Sequence, residues 1–320
     1  MSSKQVPQQP ARPATGSSIE KKPVSWSNIL VGAALNLMEV SSLGQPFEVM
    51  KTTMAANREM SLTQAIAHVY SRGGIKGYYQ GLIPWGWIEA ATKGSVLLPV
   101  SSEVEYRLRV LGAIPFVAGI GGGMAGGVAQ AYLTMGFCTC MKTAEITRKK
   151  DVGADGRPPK TTWQVFKEIY KREGIRGINR GVNAVAVRQC TNWGSRFGIS
   201  RLAEQTIRKV TGKDRDDKLA AYEKILASVI GGGLSAWNQP IEVVRVEMQS
   251  RVPDPEKPKN LSVWGTMKYV YGNNGLKGLY RGVTPRICLG IWQTVFMVCF
   301  GDFAKEFIAS SSAAKKSRAL

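Results

Sequence analysis

Histidine is almost absent from this sequence, and cysteine is rare. His68 is the single histidine in 320 residues, and the cysteines do not have the spacing of a zinc site. The five cysteines are Cys138, Cys140, Cys190, Cys288 and Cys299. No Ser/His/Asp grouping and no paired carboxylates indicate a hydrolytic site. We therefore predict that the protein is not an enzyme, that it holds no metal and no cofactor, and that its thiols are free and buried.

Acidic residues and long uncharged apolar runs are also scarce. The chain has 23 Asp and Glu against 43 Lys and Arg, a formal net charge of +20, and its mean hydropathy is −0.12. Hydropathy alone therefore does not predict a membrane protein. So large a positive charge indicates an anionic partner, which leaves nucleic acid, anionic lipid and an anionic substrate as alternatives.

The sequence does contain a glycine motif that is repeated three times. The pattern of Gly, aliphatic, base and Gly, followed four residues later by another Gly, occurs at 74–81, 174–181 and 275–282. The final glycines are 100 and 101 residues apart. Apolar residues spaced i, i+3, i+4 precede each copy and predict a short amphipathic helix. A period near 100 is longer than the roughly 20–50 residues of solenoid repeats.

A second motif, Pro-x-acid-x-x-base, lies upstream of the first and third glycine motifs. Its members are Pro46, Glu48 and Lys51 in the first copy, and Pro240, Glu242 and Arg245 in the third. Proline removes a backbone donor and kinks a helix, and an acid and a base three residues apart share a helix face. In the second copy Phe137 replaces the proline, Thr139 replaces the acid and only the base, Lys142, is kept. We therefore predict helix kinks at the two prolines and an irregular middle copy.

Six mostly apolar stretches flank these motifs, at 27–50, 82–104, 115–142, 182–203, 222–249 and 283–304. Each supplies about 20 residues, enough for one membrane crossing as a helix. Charges in the middle of these stretches include Glu39, Glu89, Lys93, Arg188, Arg196 and Arg286. In a membrane such charges face a water-filled interior, which would account for the low mean hydropathy.

One glycine-rich segment offers a different interpretation. Residues 121–126 fit the G-x-G-x-x-G pattern of a dinucleotide site, but a preceding strand and a following acid are not evident. Gly119, Gly123 and Gly127 have instead the small-x-x-x-small spacing of closely packed helices. Helix packing is therefore the favoured interpretation.

Together the two motifs, in three copies over residues 25–307, resemble the mitochondrial carrier family. The resemblance implies an all-α membrane protein, a pseudo-threefold bundle of six transmembrane helices with three short matrix helices. It implies the inner mitochondrial membrane, with both termini in the intermembrane space, and a monomer. The predicted divisions are a disordered tail at 1–24, carrier repeats at 25–112, 113–217 and 218–309, and a basic tail at 310–320.

By this resemblance, the Pro-acid-base motifs form a gate on the matrix side. Glu48 would pair with Lys142, and Glu242 with Lys51. The third pair is expected to be missing, because Thr139 stands where an acid would face Arg245. Gln249 resembles the glutamine that braces such a pair. On the opposite side, Asp302 and Lys305 fit a second gate in the third repeat only.

Substrates of this family are bound by side chains near the middle of the even-numbered helices. Arg188 and Gln189 resemble the pair found in carriers of di- and tricarboxylates, because a guanidinium binds a carboxylate through two parallel hydrogen bonds. Glu89, Lys93 and Leu97 on the second helix and Arg286 on the sixth complete the predicted site.

The implied function is antiport of citrate against 2-oxoglutarate and related carboxylates by alternating access. Cardiolipin is an expected partner, because basic pockets bind its head groups. The alternative is a basic membrane protein associated with mitochondrial DNA, since a positive face can bind phosphates without reading sequence. DNA binding would then be the main activity or a second one.

Overall fold

The computed structural model describes residues 26–147, 160–212, 220–250, 262–296 and 300. The tails predicted at 1–24 and 310–320 lie outside the described residues, and so do Asp302 and Lys305. The residues that are described form helices joined by short turns, with no strand among them, so the chain is all-α as predicted. None of the described helices is both long and apolar enough to qualify as a membrane span by hydropathy.

Three units follow one another along the chain, each built from an interrupted long helix, a short helix and a second long helix. The first contains α1 (Trp26–Glu39), α2 (Gln45–Ala56), α3 (Leu62–Ser71) and α4 (Trp87–Val110). The second contains α5 (Pro115–Gln130), α6 (Gly136–Thr147), α7 (Thr162–Ile178) and α8 (Val182–Val210). The third contains α9 (Ala221–Leu234), α10 (Gln239–Gln249), α11 (Val263–Leu279) and α12 (283–296). The short helices predicted upstream of the glycine motifs are α3 and the first parts of α7 and α11.

The long helices pack side by side, and three of them converge at one end. Helix α4 packs against α1 and α5, and α8 packs against α5 and α9. Helices α2, α6 and α10, one from each unit, all contact one another. The three segments that carry the Pro-acid-base motif, or its remnant in the second unit, therefore meet around a common axis.

A break in the helix precedes each of these three segments. A π-helical turn, Val40–Gly44, separates α1 from α2, and a 3-10 turn, Ser235–Asn238, separates α9 from α10. Pro46 and Pro240 each lie in the first turn of the following helix, where a missing backbone N–H costs nothing. The second unit has a π-helical turn at Ala131–Met135 without any proline.

The final glycine of each glycine motif adopts a backbone conformation that side chains disfavour. Gly81, Gly181 and Gly282 have φ of 73°, 75° and 76°. A methyl group at Gly282 would lie 2.8 Å from the carbonyl oxygen of Lys51, and one at Gly81 would lie 3.0 Å from the side chain of Lys142. The repeated glycine is therefore required both by the turn and by close packing on a segment of another unit.

Three small apolar clusters join the first unit to the second and to the third. The side chains of Val49 and Val69 in the first unit pack with Ile146 in the second. A second cluster consists of Trp85 from the first unit with Cys140, Met141 and Ile169 from the second. The third consists of Ala55 from the first unit with Val243, Val246, Val270 and Leu279 from the third. Burial of these apolar side chains stabilises the convergence of α2, α6 and α10.

The glycine-rich segment at 121–126 lies inside α5, as the helix-packing interpretation predicts. A methyl group at Gly122 or Gly126 would lie 2.6 Å or 2.8 Å from a backbone oxygen of α4, and one at Gly127 would lie 2.6 Å from the Gln189 carbonyl of α8. These glycines allow α5 to pack closely between α4 and α8. A continuous helix leaves no strand-to-helix turn that could cradle a dinucleotide.

Candidate functional site

A polar cavity lies between the helices, above the point where α2, α6 and α10 converge. The space between its lining side chains, including its opening to solvent, amounts to about 720 Å³. A smaller recess shares Glu48, Glu89 and Lys93 with it and adds Glu39 and Lys142. The charged residues lining cavity and recess are Glu39, Glu48, Lys51, Glu89, Lys93, Lys142, Arg188, Arg196 and Arg286.

These lining residues give the cavity an excess of positive charge. Six are basic and three are acidic, a formal net charge of +3. The two further charged residues buried just below, Glu242 and Arg245, cancel each other. A water-accessible cavity with this balance attracts small polyanions.

The converging ends of α2 and α10 are joined by an ion pair across two units. Lys51 Nζ lies 2.8 Å from Glu242 Oε1 and 2.6 Å from Glu48 Oε2. Lys51 and Glu242 are both buried. The predicted contact between Glu242 and Lys51 is therefore present in the structure, and Glu48 shares the same ammonium group.

Lys142 of α6 has a partner that the sequence did not indicate. Its Nζ lies 2.7 Å from Glu89 Oε2, and only 3.8 Å separates it from Glu48 Oε1, the predicted partner. Glu89 was expected to contact substrate. In the structure it pairs with Lys142, the basic residue of the gate, so the Glu89 carboxylate belongs to both the cavity and the gate.

Arg245 of α10 is surrounded by polar groups in the absence of a third acid. Its guanidinium lies 2.6 Å from Glu242 Oε1, in its own helix. It donates hydrogen bonds of 2.9 Å to Thr143 Oγ1 and 2.9 Å to Gln249 Oε1. Gln249 was expected to brace an ion pair of the gate, and in the structure it contacts Arg245. Thr139, at the position of the missing acid, is buried, and its hydroxyl has no hydrogen-bond partner among the described residues.

Arg188 connects the cavity to the gate. Its Nε lies 3.2 Å from Glu242 Oε2, while its side chain still lines the cavity. Glu242 is therefore in contact with three cations, Lys51, Arg188 and Arg245. A ligand carboxylate at Arg188 would compete with Glu242 for the same guanidinium.

Arg286 of α12 is fixed by amide oxygens from the break between α9 and α10. It donates to Gln239 Oε1 at 3.1 Å and to Asn238 Oδ1. The Asn238 amide in turn donates to the carbonyl of Arg188 at 3.3 Å. Because these partners are neutral and leave its charge uncompensated, Arg286 can bind an anionic ligand in the cavity, whose wall its side chain helps to form.

The structure brings five of the six predicted substrate residues to the cavity wall: Glu89, Lys93, Arg188, Gln189 and Arg286. The Gln189 amide is already engaged, since Nε2 donates to Gln130 Oε1 at 3.0 Å. Leu97 is not among the lining residues. It is buried against α5, where a methyl group at Gly126 would lie 3.1 Å from Leu97 Cδ1.

Several cavity residues were not assigned to the site from the sequence. Glu39 and Arg196 were noted only as mid-helix charges, and Trp193, Asn238 and Thr139 lie in the same space or next to it. A charged residue inside an apolar stretch is a usable signal for the first two. Thr139 was noted only as the residue at the position of the missing acid, and no pattern indicates Trp193 or Asn238.

The comparisons with known proteins place the chain in a family. The family model described as mitochondrial carrier protein matches residues 21–98, 112–211 and 217–312, so the chain belongs to the mitochondrial carrier family. The three matches coincide with the three helical units.

Three relatives within this family illustrate how similar the chain is to individual carriers. The chain is 70% identical over 297 residues to the citrate/oxoglutarate carrier protein of Saccharomyces cerevisiae, covering 92% of this chain and 94% of that protein. It is 21% identical over 283 residues to mitochondrial citrate transporter C of Aspergillus niger, covering 83% and 86%. It is 23% identical over 276 residues to the mitochondrial 2-oxodicarboxylate carrier of Mus musculus, covering 81% and 87%.

Proposed function

We propose that this protein is an antiporter of the inner mitochondrial membrane that exchanges citrate for 2-oxoglutarate and related carboxylates by alternating access. The observation that carries the proposal is the cavity of net charge +3, closed at one end by buried ion pairs that link the units. The printed name of the relative that is 70% identical, a citrate/oxoglutarate carrier, supports the same substrates.

A membrane location is supported by the distribution of side chains around the bundle. Large apolar residues are exposed on the outside of the helices, among them Leu30, Leu43, Leu133, Leu226 and Leu234. Charged residues of α2, α4, α8 and α12 line the cavity instead. This inside-out arrangement suits six helices that cross the bilayer around a polar path, with pseudo-threefold symmetry and both termini in the intermembrane space.

Binding begins at the two arginines nearest the gate. Each guanidinium can hold one carboxylate of the substrate through paired hydrogen bonds. As a carboxylate approaches Arg188, it draws that side chain away from Glu242, which then relies on Lys51 and Arg245 alone. Substrate in the cavity therefore weakens the closed gate, and α2, α6 and α10 separate to release it on the matrix side.

Exchange rather than one-way transport follows from the charge of the cavity. When the cavity is empty, three positive charges lack a counterion, and burying them during the conformational change is costly. A bound citrate or 2-oxoglutarate compensates most of that charge. The loaded protein therefore changes conformation readily and the empty one does not. Export of one substrate is thereby coupled to import of the other.

Cardiolipin and mitochondrial DNA remain predictions. Cardiolipin is expected from the resemblance and from the excess of basic residues. DNA association rests on net charge alone, and neither the cavity nor the relatives favour it. We propose transport by a monomer as the activity.

The test is exchange in reconstituted liposomes by Arg188→Ala and Arg286→Ala, with Arg107→Gln as the control. Each alanine variant should reduce citrate exchange by about a hundredfold, the loss of paired charge-assisted hydrogen bonds. Arg107 is exposed on α4 and pairs with Glu103 of its own helix, so its variant should exchange at the wild-type rate. Wild-type rates in both alanine variants would contradict the site.

A further inference from the structure

A second pair of cations lies further from the gate than Arg188, and both cations approach one indole ring. Lys93 Nζ lies 6.0 Å from the centre of the Trp193 ring, and Arg196 Cζ lies 5.7 Å from it. Arg196 also donates a hydrogen bond of 2.6 Å to Thr294 Oγ1 on α12. Three helices, α4, α8 and α12, thus fix the position of these two charges in the cavity wall.

This pair differs from the gate cations because it lacks a direct carboxylate partner. Lys51, Lys142, Arg188 and Arg245 each have a carboxylate oxygen within 4 Å. No described carboxylate comes within that distance of Lys93 or Arg196. Glu39 attracts both electrostatically but does not pair with either. A cation held by an aromatic face and a hydroxyl keeps most of its ability to bind an anion.

The position of this pair separates it from the arginines near the gate. Arg196 follows Arg188 by eight residues in α8, which places it about 12 Å further along the helix axis. Both side chains line the same cavity and are long enough to approach one ligand from opposite ends. The cavity thus has two cationic layers, Arg188 with Arg286 and Lys93 with Arg196.

We propose that Arg196, supported by Lys93, binds the carboxylate that citrate has in excess of 2-oxoglutarate, and so determines the preference for tricarboxylates. A dicarboxylate satisfies the Arg188–Arg286 layer and leaves the second layer without a carboxylate. A tricarboxylate fills both. This inference rests on the proposed function, and it adds Arg196 to the residues that contact substrate.

The test compares citrate/citrate with 2-oxoglutarate/2-oxoglutarate homoexchange in liposomes, for the wild type, Arg196→Gln, Arg196→Lys and the control Arg107→Gln. In Arg196→Gln the KM for citrate should rise about tenfold more than the KM for 2-oxoglutarate, the loss of one charge-assisted hydrogen bond. Arg196→Lys keeps the charge, so it should restore part of the ratio. Arg107→Gln should keep the wild-type ratio.

An equal rise in both KM values for Arg196→Gln, or no rise in either, would overturn the inference. If Arg196→Gln yields no transport, ligand-induced thermal stabilisation of that variant in detergent decides, because a wild-type ratio of citrate to 2-oxoglutarate affinity would contradict the role of Arg196 in selectivity. A wild-type protein that exchanges neither anion would instead refute the proposed function. The two failures are therefore distinguishable.

Discussion

The gate segments of the first and third units differ from that of the second, although all three meet at the same axis. Helices α2 and α10 have a proline as their second residue, followed by an acid and a base, whereas α6 has Phe137 and Thr139 in place of the proline and the acid. Lys142 of α6 pairs with Glu89 of the cavity wall, and Arg245, which lacks an acid from the second unit, pairs with Glu242 of its own helix. The base of the unit with the missing acid is thus held by a carboxylate of the first unit that also lines the cavity.

Hydrogen bonds from side chains to the backbone also distinguish the second unit from the other two. The glutamine before each proline donates to the carbonyl that precedes the final glycine of its own unit, Gln45 to Gln80 at 2.5 Å and Gln239 to Arg281 at 2.6 Å. In the second unit a glycine, Gly136, takes that place. There the carbonyl of Arg180 accepts instead from Gln249 of the third unit, at 3.1 Å. A lost internal contact is replaced by one between units.

Removal of Glu242 should have the largest effect on the gate. This buried carboxylate contacts three cations, so Glu242→Ala leaves Glu48 as the one remaining acid within 4 Å of Lys51 and Arg245 and removes the carboxylate that contacts Arg188. We expect exchange to be abolished and the unfolding free energy to fall by about 3–5 kcal/mol. Exchange assays and thermal unfolding in detergent measure the two effects. The exposed pair between Lys160 and Glu168 supplies a control, because Glu168→Gln should cost less than about 1 kcal/mol.

Glu89→Gln tests whether the second unit depends on its borrowed carboxylate. Lys142 would keep only Glu48, 3.8 Å away, and the closed gate should weaken. We expect efflux of 2-oxoglutarate without external counter-substrate to increase about fivefold, since roughly 1 kcal/mol of pairing is lost. Efflux into anion-free buffer is the measurement. Wild-type efflux would show that Glu89 does not hold the gate.

Thr139→Glu would make the second unit resemble the other two. Because Thr139 lies one turn before Thr143, which Arg245 contacts, we expect the new carboxylate to supply the missing third pair and to lower the net charge of the cavity from +3 to +2. We expect a higher unfolding temperature and exchange slowed about threefold, with Thr139→Gln as the uncharged control. Faster exchange, or equal effects of the two variants, would contradict this view of the asymmetry.

His68 should have the smallest effect, because it lies on α3, away from the cavity. Partial burial, together with neighbouring Arg72, lowers the pKa of His68 below its ordinary value of about 6.5. The stability it contributes is therefore present above that ordinary value and is lost as the pH falls through the lowered one. His68→Gln should leave exchange at neutral pH unchanged and alter stability by less than about 0.5 kcal/mol. A shifted pH profile of exchange would indicate an unrecognised role.

The repeated motifs made much of the fold predictable. Glycine motifs at a fixed period and apolar stretches between them indicate three equivalent units, because each motif reports a local backbone requirement such as the positive φ of Gly181. The π-helical turn at Ala131–Met135 could not be predicted, since no proline marks it. Helix breaks of this kind depend on tertiary packing.

The candidate site was predictable where a charge interrupts an apolar stretch, as at Arg188 and Arg286. Pairing was less predictable, because several carboxylates lie within reach of each base. Lys142 lies closer to Glu89 than to Glu48 because α4 packs against α6 in the folded protein. Leu97 was placed by helical spacing alone, and it packs against α5 because the glycines there leave room for it.

Trans-stimulation of citrate uptake tests the central claim most directly. Labelled citrate would be offered to liposomes that contain the protein and are either loaded with 2-oxoglutarate or free of internal anion. We predict rapid uptake into the loaded vesicles and almost none into the empty ones, because the uncompensated charge of the cavity prevents the empty protein from returning. Equal uptake into both kinds of vesicle, or none into either, would contradict the account.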